Sequence, residues 1–420
     1  MDNALRQQVR SARRKFASMA GAYAMGVFND SLYRQSAILL ALAGSSGAIK
    51  EGWILTIFTV PYLLLASTAG WLADRFPKRR IIIAAKALEL VAMGLGAVGI
   101  CLGSWPLILA MAFAMGMQSC LFGPSLNGSI PELYPAAYVQ RANSILKVVV
   151  TPMILAGLVA AGFALHVKTA GAGGIPVGRW IVGIALVAVS TVGLLFSVGS
   201  PRRPAADPGA PFPWLGPIRT IVELWELRKD RLLAIASVAS VFIWFVGSML
   251  ILLISVLVMD QLQAGEAISG SLLAAQVVGV AIGGVLSNVV ASGPRWYRAL
   301  APSAAGLGAV LLAMGALPSL PTDAQIPVAF VLLGLTGILG GIFMIPCGSF
   351  IQVRAPIEKR GTIIASVSFA TFAAISLSGL IEWLLIYSLG LATSALAAVG
   401  VLAIGMAIWL RWVLNEETAA

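Results

Sequence analysis

The sequence predicts an all-α membrane protein with twelve transmembrane helices in two pseudo-symmetric six-helix halves. Of the 420 residues, 59% are hydrophobic and only 11% are charged, whereas about 25% of the residues in a soluble domain are charged. About a dozen apolar stretches follow one another, and ~20 apolar residues suffice to cross the hydrocarbon layer of a bilayer. The only long polar stretch, Ser200 to Asp230, lies between the sixth and the seventh of them.

The helices are predicted near 17–43, 52–73, 80–102, 105–128, 143–166, 176–198, 231–258, 267–291, 298–317, 325–352, 362–386 and 390–412. The remaining organisation is a basic N-terminal segment, a first half, a linker, a second half and a short tail, at 1–16, 17–199, 200–230, 231–413 and 414–420. The linker is rich in proline, as expected between two domains, and ends in a short charged helix-like piece, Glu223 to Arg231. The first apolar segment lacks a signal-peptide cleavage site, so it is expected to remain in the mature protein.

The distribution of Lys and Arg predicts the orientation. When the loops are assigned alternately to two sides, 22 of the 28 basic residues lie on the side of the termini. Only Lys50, Lys168 and Arg179 lie on the opposite side. Since cytoplasmic loops carry the excess of basic residues, both termini are expected in the cytoplasm. This placement explains the net charge of +11 without a nucleic-acid partner.

The two halves repeat weakly. Gly70-Trp71-Leu72-Ala73-Asp74, at the end of the second helix, resembles Gly284-Val285-Leu286-Ser287-Asn288, at the end of the eighth. Phe122-Gly123-Pro124 similarly resembles Met344-Ile345-Pro346, and a basic loop is expected after each, with Arg141 in one half and Arg360 in the other. A duplicated six-helix unit is typical of transporters that bind their cargo between the halves.

The loop after the second helix carries the most specific motif, Gly70-Trp71-Leu72-Ala73-Asp74-Arg75-Phe76-Pro77-Lys78-Arg79-Arg80. It resembles the signature of the major facilitator superfamily, except that Pro77 replaces a glycine. Gly70 would permit close helix approach, and Asp74 can accept hydrogen bonds from a helix N-terminus or pair with an arginine. The resemblance implies a gate containing Gly70, Asp74, Arg75, Lys78, Arg79, Arg141, Arg354 and Arg360. The alternative is a topology-setting basic loop without a gating role.

Shorter motifs resemble the bacterial lysophospholipid transporter family, a branch of this superfamily. They are Phe28-Asn29-Asp30, Phe122-Gly123-Pro124, Pro131-Glu132-Leu133, Arg141-Ala142-Asn143, Pro346 and Gln352-Val353-Arg354. Ser31 departs from the family pattern, which usually has an amide there. The resemblance implies an inner-membrane flippase that moves lysophospholipids such as lysophosphatidylethanolamine from the outer to the inner leaflet by alternating access. A separate acyltransferase that restores the second chain is the implied partner.

Asp30 and Arg34 are the most informative polar residues within a predicted span. They lie one helical turn apart on the same face, and an intramembrane charge costs several kcal/mol. Either they form an internal ion pair, or Asp30 binds the ammonium and Arg34 the phosphate of a zwitterionic head group, with a hydrogen bond from Asn29. Further substrate-binding candidates are Gln118 and Gln276. Four other polar residues within the predicted spans are further candidates for the site: Glu89, Asn127, Lys147 and Glu382.

Other patterns exclude some classes of function. The sequence has no Gly-x-x-x-x-Gly-Lys phosphate loop, no His-Glu-x-x-His and no Cys-x-x-Cys, so ATP hydrolysis, an enzyme activity, a cofactor and a metal site are not expected. Lys86 is expected to extend to the cytoplasmic surface. The remaining alternative function is a proton-coupled exporter of small amphipathic molecules or drugs, in which Asp30 would be the protonation site.

Overall fold

A computed structural model describes residues 3–42 and 47–417, and the last residues of the predicted tail, 418–420, lie outside this part. Thirteen α-helices occur within it: α1 Asn3–Leu42, α2 Gly47–Arg75, α3 Lys78–Leu102, α4 Trp105–Leu133, α5 Ala136–His166, α6 Val177–Val198, α7 Pro217–Glu226, α8 Arg231–Val256, α9 Gly265–Val290, α10 Leu300–Gly315, α11 Thr322–Arg354, α12 Arg360–Leu389 and α13 Ala392–Glu417. Twelve of them correspond to the predicted transmembrane helices, and α7 lies in the linker. The predicted fold class is therefore confirmed.

Eleven of the helices in the described part, α2 to α6 and α8 to α13, are long and apolar enough to cross a membrane. α1 is 40 residues long, but its second half contains Asn29, Asp30, Arg34 and Gln35. These polar residues lower the hydropathy of the stretch. The first span is thus long enough but unusually polar, as the position of Asp30 and Arg34 in the sequence indicates.

Three predicted boundaries are wrong. α1 begins at Asn3, so most of the basic N-terminal segment continues the first helix. α5 begins directly after Pro135, which places Arg141 within a helix and not in a loop. The short linker helix begins at Pro217, after Gly216 with a φ of 50°. Proline suits the first position of a helix because its φ is already helical and its missing N–H needs no partner there.

The chain divides into two compact units. The first comprises Met1–Ala136, Pro152–Leu227 and Arg354–Phe372, and the second comprises Ala137–Thr151, Arg228–Val353 and Ala373–Ala420. These units differ from the two predicted halves, because the beginning of α12 packs within the first unit and the beginning of α5 within the second. The two helix beginnings provide the contacts with α2 and with α9 that are described below.

Each unit has its own apolar core. In the first unit, residues such as Leu32, Met93 and Met111 pack together from α1, α3 and α4. In the second unit, one cluster includes Leu253 of α8, Leu311 of α10 and Leu410 of α13. The spans are therefore held together by side-chain packing on one side of each helix, and many of the exposed side chains of the spans are apolar, as expected in lipid.

Candidate functional site

A buried ion pair lies within the first unit. The ammonium of Lys86 in α3 is 2.6 Å from the Glu89 carboxylate one turn later, and each side chain is only 1% exposed. Gln118 of α4 donates a second hydrogen bond to the same Glu89 oxygen at 3.1 Å, and Ser119 donates to Gln118 at 3.0 Å. Both charges are therefore compensated inside the protein, as burial at this depth requires.

Small residues of neighbouring helices make room for Lys86. A Cβ atom on Gly26 of α1 would lie 2.5 Å from the Lys86 ammonium, and one on Gly193 of α6 would lie 3.8 Å from it. The ammonium also lies 4.9 Å from the centre of the Phe122 ring. The expectation that Lys86 extends to the surface is therefore wrong: Glu89 and the ring hold it inside, where sequence periodicity alone could not locate it.

Asp30 and Arg34 do not pair with each other in the described part of the chain. Asp30 is half-buried and Arg34 is exposed. Asp30 lies in electrostatic range of Lys86, Glu89 and Arg34, but the Lys86 ammonium is bound to Glu89. Two carboxylates thus share the surroundings of one buried ammonium, and Asp30 is the one that does not bind it.

The amides predicted to bind substrate have other surroundings. Asn29 is fully buried and donates to the Leu186 carbonyl of α6 at 3.1 Å. Gln118 is bound to Glu89. Gln276 is buried in α9, in the second unit. The structure therefore brings Gln118 together with Glu89 near Asp30, but it turns the Asn29 amide towards α6.

The other polar candidates are distributed over different helices. Asn127 is half-buried in α4, and Glu382 is half-buried in α12. Glu382 precedes Trp383, which stacks on Tyr387 with ring centres 5.6 Å apart. Lys147 of α5 lies 5.9 Å from the ring of Trp244. Of the four, only Glu89 belongs to the buried cluster.

Asp74 binds the first turn of α12. One of its carboxylate oxygens accepts the Gly361 N–H at 2.6 Å. The other accepts the N–H and the hydroxyl of Thr362, both at 2.8 Å. The first N–H groups of a helix have no partner within the helix and carry a partial positive charge. Of the two predicted roles for Asp74, acceptance from a helix N-terminus is the one that occurs.

Two glycines allow α2 and α12 to approach closely. A Cβ on Gly70 would lie 2.6 Å from the Thr362 Cα, and a Cβ on Gly361 would lie 2.7 Å from both the Asp74 carboxylate and the Ala73 Cβ. Neither position can accept a side chain without moving a helix. The two backbones therefore touch where Asp74 makes its bonds.

Three basic residues of the motif bind neighbouring segments, and the other basic residues predicted for the gate have different surroundings. Arg75 donates to the Ala210 carbonyl of the linker at 2.8 Å. Lys78 is 2.8 Å from Glu132, and Arg79 donates to the Val198 carbonyl at 2.9 Å. Arg360 is buried and lies in electrostatic range of Glu132 and Asp74. Arg354 is exposed at the end of α11, and Arg141 is exposed in the second unit.

A corresponding contact occurs in the second unit, between α5 and α9. Ser144 donates to the Gly284 carbonyl at 2.7 Å and accepts from Asn288 at 2.9 Å. Gln140 donates to the Ser287 carbonyl at 2.8 Å. Gly284 and Asn288 are the repeat counterparts of Gly70 and Asp74, so each copy of the motif contacts the first part of a helix from the other half of the sequence.

Neutral side chains extend this second contact. Asn143 donates to the Ser349 hydroxyl at 2.8 Å and to the Gln352 carbonyl oxygen at 3.0 Å. Sequence reasoning gave no role to Gln140, Ser144 or Ser349. The signal that could have found them is the weak repeat, which aligns Asn288 with Asp74 and thereby predicts a polar partner near the start of α5.

The repeated helical units and the paired helix contacts define a polytopic transporter of the membrane. A model of the Major Facilitator Superfamily matches residues 16–250, which is more than half of the chain. The chain belongs to this superfamily.

Curated relatives and solved structures agree with this assignment. The "Lysophospholipid transporter LplT" of Escherichia coli O157:H7 is 26% identical over 306 residues, which cover 71% of this chain and 70% of the relative. Its counterpart in Salmonella arizonae is 28% identical over the same extent. The human organic anion transporter MFSD10 superposes with a TM-score of 0.78 at 14% identity, over 96% of this chain and 99% of that one. The Escherichia coli fucose:proton symporter FucP superposes with a TM-score of 0.71 at 15% identity, over 95% and 98%. These two structures support the fold alone.

Proposed function

We propose that this multi-pass inner-membrane transporter flips lysophospholipids, such as lysophosphatidylethanolamine, from the outer to the inner leaflet. The relatives named as lysophospholipid transporters support this substrate class, since the similarity extends over more than two thirds of both chains. The observation that carries the proposal is the state of Asp30 and Arg34. They are a carboxylate and a guanidinium one helical turn apart, and they do not bind each other.

The chemistry of this pair fits a zwitterionic head group. Four residues of α-helix rise by about 6 Å, so Asp30 and Arg34 offer charges of opposite sign at two levels of α1. Asp30 would bind the ammonium, because Lys86 is already bound to Glu89. Arg34 would bind the phosphate, since guanidinium binds phosphate well. The head group would then cross without losing all its polar contacts in hydrocarbon, which would be costly.

Flipping by purified protein in liposomes tests this proposal. A fluorescent lysophosphatidylethanolamine is added to the outer leaflet. Albumin extracts the lipid that remains there, so the fraction that resists extraction measures flipping. Asp30→Asn and Arg34→Ala should each slow flipping, whereas Asp323→Asn, a change of an exposed acid at the start of α11, should not. Flipping no faster than in protein-free liposomes would refute the substrate, and normal flipping by both variants would refute the site.

We further propose that both termini are cytoplasmic and that the Asp74 contact is a cytoplasmic gate. The 22-to-3 distribution of basic residues supports the orientation. The bonds from Asp74 to Gly361 and Thr362 support the gate, since opening between α2 and α12 must break them. Alternating access would bring a lysophospholipid to the inner leaflet, where a separate acyltransferase could use it. Reporter fusions at both termini, read on intact cells, test the orientation.

Proton-coupled export of a small amphipathic molecule is the second candidate. It is favoured by an Asp30 carboxylate that lies beside a buried ion pair without binding its ammonium. The two functions respond differently to a protonophore. Downhill lipid flipping should continue after the proton gradient is dissipated, whereas proton-driven export should stop.

A further inference from the structure

The linker contains a short helix whose apolar side chains face away from the protein. α7 and the turn before it carry six large apolar residues that are 40 to 86% exposed: Trp214, Leu215, Ile218, Ile221, Val222 and Trp225. We call them the linker face. The last four have the i, i+3, i+4, i+7 spacing of one helix side. A contiguous apolar patch of this kind usually marks an interaction surface.

The opposite side of α7 is polar and is attached to the protein. Thr220 and Glu223 are 1% and 5% exposed. Glu223 forms an ion pair with Arg219, and the Lys359 ammonium lies 3.9 Å from Glu223 and 3.8 Å from Glu226. These contacts orient the helix. The linker face therefore cannot turn towards the protein without the loss of a buried carboxylate's partners.

α7 lies where membrane-spanning helices end. Lys359 directly precedes α12, and Trp71, in the last turns of α2, packs against the linker residue Phe212 with ring centres 5.0 Å apart. Trp71 also donates to the Ala210 carbonyl at 2.9 Å. Along the chain, four residues separate the end of α7 from the start of α8 at Arg231.

The composition around the linker face matches a membrane surface. Tryptophan is enriched at the boundary between lipid and water, and the face has Trp214 near one end and Trp225 near the other. Arg219 of α7 and Lys359, which directly precedes α12, are about half exposed, and Arg202 and Arg203 are exposed earlier in the linker. Basic side chains beside an apolar helix face are typical of helices that lie in the interface of anionic membranes.

We propose that the linker face inserts into the lipid surface at this end of the spans, with anionic phospholipid as its partner. The linker is then an interfacial anchor as well as a connection between halves. The apolar side chains enter the boundary region of the acyl chains. Arg202, Arg203, Arg219 and Lys359 remain at the level of the phosphates.

Collision experiments on spin labels test the insertion. The full chain is labelled at Ile218→Cys, Ile221→Cys or Val222→Cys and placed in nanodiscs of phosphatidylcholine with phosphatidylglycerol. The three native cysteines are buried. Wild-type protein treated with the same spin label gives the background signal from these cysteines. Gly209→Cys, at an exposed position of the same linker outside the face, is the matched control.

Insertion predicts a several-fold higher ratio of oxygen to nickel-chelate collisions at the three face positions than at position 209. It also predicts that this ratio falls when phosphatidylglycerol is omitted. A ratio at Ile221→Cys equal to that at Gly209→Cys would overturn the proposal. Protection from both reagents would also overturn it, because that result indicates a protein on the face. Brominated phosphatidylglycerol gives a second measurement, since it should quench wild-type fluorescence more than that of Trp225→Phe.

Discussion

The carboxylate of Asp74 accepts hydrogen bonds from both the backbone N–H and the hydroxyl of Thr362 at 2.8 Å. Asp74 is 1% exposed, so it depends on these donors and on Gly361 for nearly all its polar contacts. An acid at the end of one span thus supplies the capping group that the first turn of another span lacks.

Asp74→Asn should weaken this contact strongly. One amide oxygen can replace only part of the acceptor capacity, and the amide N–H groups would face backbone donors. Loss of a hydrogen bond to a buried charge costs ~1.5–3 kcal/mol, so we expect faster protease cleavage in the linker and altered flipping. Thr362→Ser keeps the hydroxyl and should resemble wild type. Equal behaviour of Asp74→Asn and Thr362→Ser in both assays would contradict the role of the cap.

Gly361→Ala should prevent the close backbone contact between α2 and α12. Its methyl group would lie 2.7 Å from the Asp74 carboxylate and from the Ala73 side chain. Crowding of a packed site typically costs ~1–3 kcal/mol, and a thermal unfolding scan in detergent should show a lower midpoint.

Gly379→Ala in the same helix is the control for that change, because in the described part of the chain no atom outside the local helix backbone lies within 4 Å of its methyl position. It should leave the unfolding midpoint unchanged or raise it slightly. If both alanine variants unfold alike, close approach at Gly361 does not limit stability.

Asp30→Asn and Glu89→Gln should separate transport from stability. Glu89→Gln leaves the Lys86 ammonium buried without its carboxylate, and breaking a buried pair costs ~3–5 kcal/mol. Asp30→Asn removes a charge that does not bind the Lys86 ammonium, so it should preserve the unfolding midpoint and slow flipping. Unfolding midpoints and flipping rates measured on the same preparations test this. A larger stability loss for Asp30→Asn than for Glu89→Gln would be inconsistent with the ion pair described here.

Ser144→Ala should destabilise the contact between α5 and α9. The variant loses the bond to the Gly284 carbonyl and removes the acceptor of the Asn288 amide, at a cost of ~1 kcal/mol per bond. Ser271→Ala is the matched control, since the Ser271 hydroxyl is exposed and donates to the Ala267 carbonyl of its own helix. Chemical unfolding of the two variants should differ by at least the cost of one bond.

Long apolar runs predict the twelve helices well, because the requirement to cross lipid determines their length and composition. The motif from Gly70 to Arg80 similarly predicts a close helix contact at the glycine and a helix N-terminus bound by the aspartate, since both follow from residue type. The buried position of Lys86 could not be predicted, because it depends on Gly26 and Phe122 from helices that are distant in sequence. The orientation of Asn29 towards α6 depends in the same way on packing between helices.

The start of α12 covers Gly70 and Asp74 although it lies almost 300 residues later in the chain. The first six-helix segment expressed alone would therefore expose a bare backbone groove and an unsatisfied acid on its surface. We expect such a fragment to fold stably only when the second six-helix segment is co-expressed, because each repeat covers a polar contact surface of the other. After the duplication, each repeat thus depends on the other for its stability, and neither can replace the other.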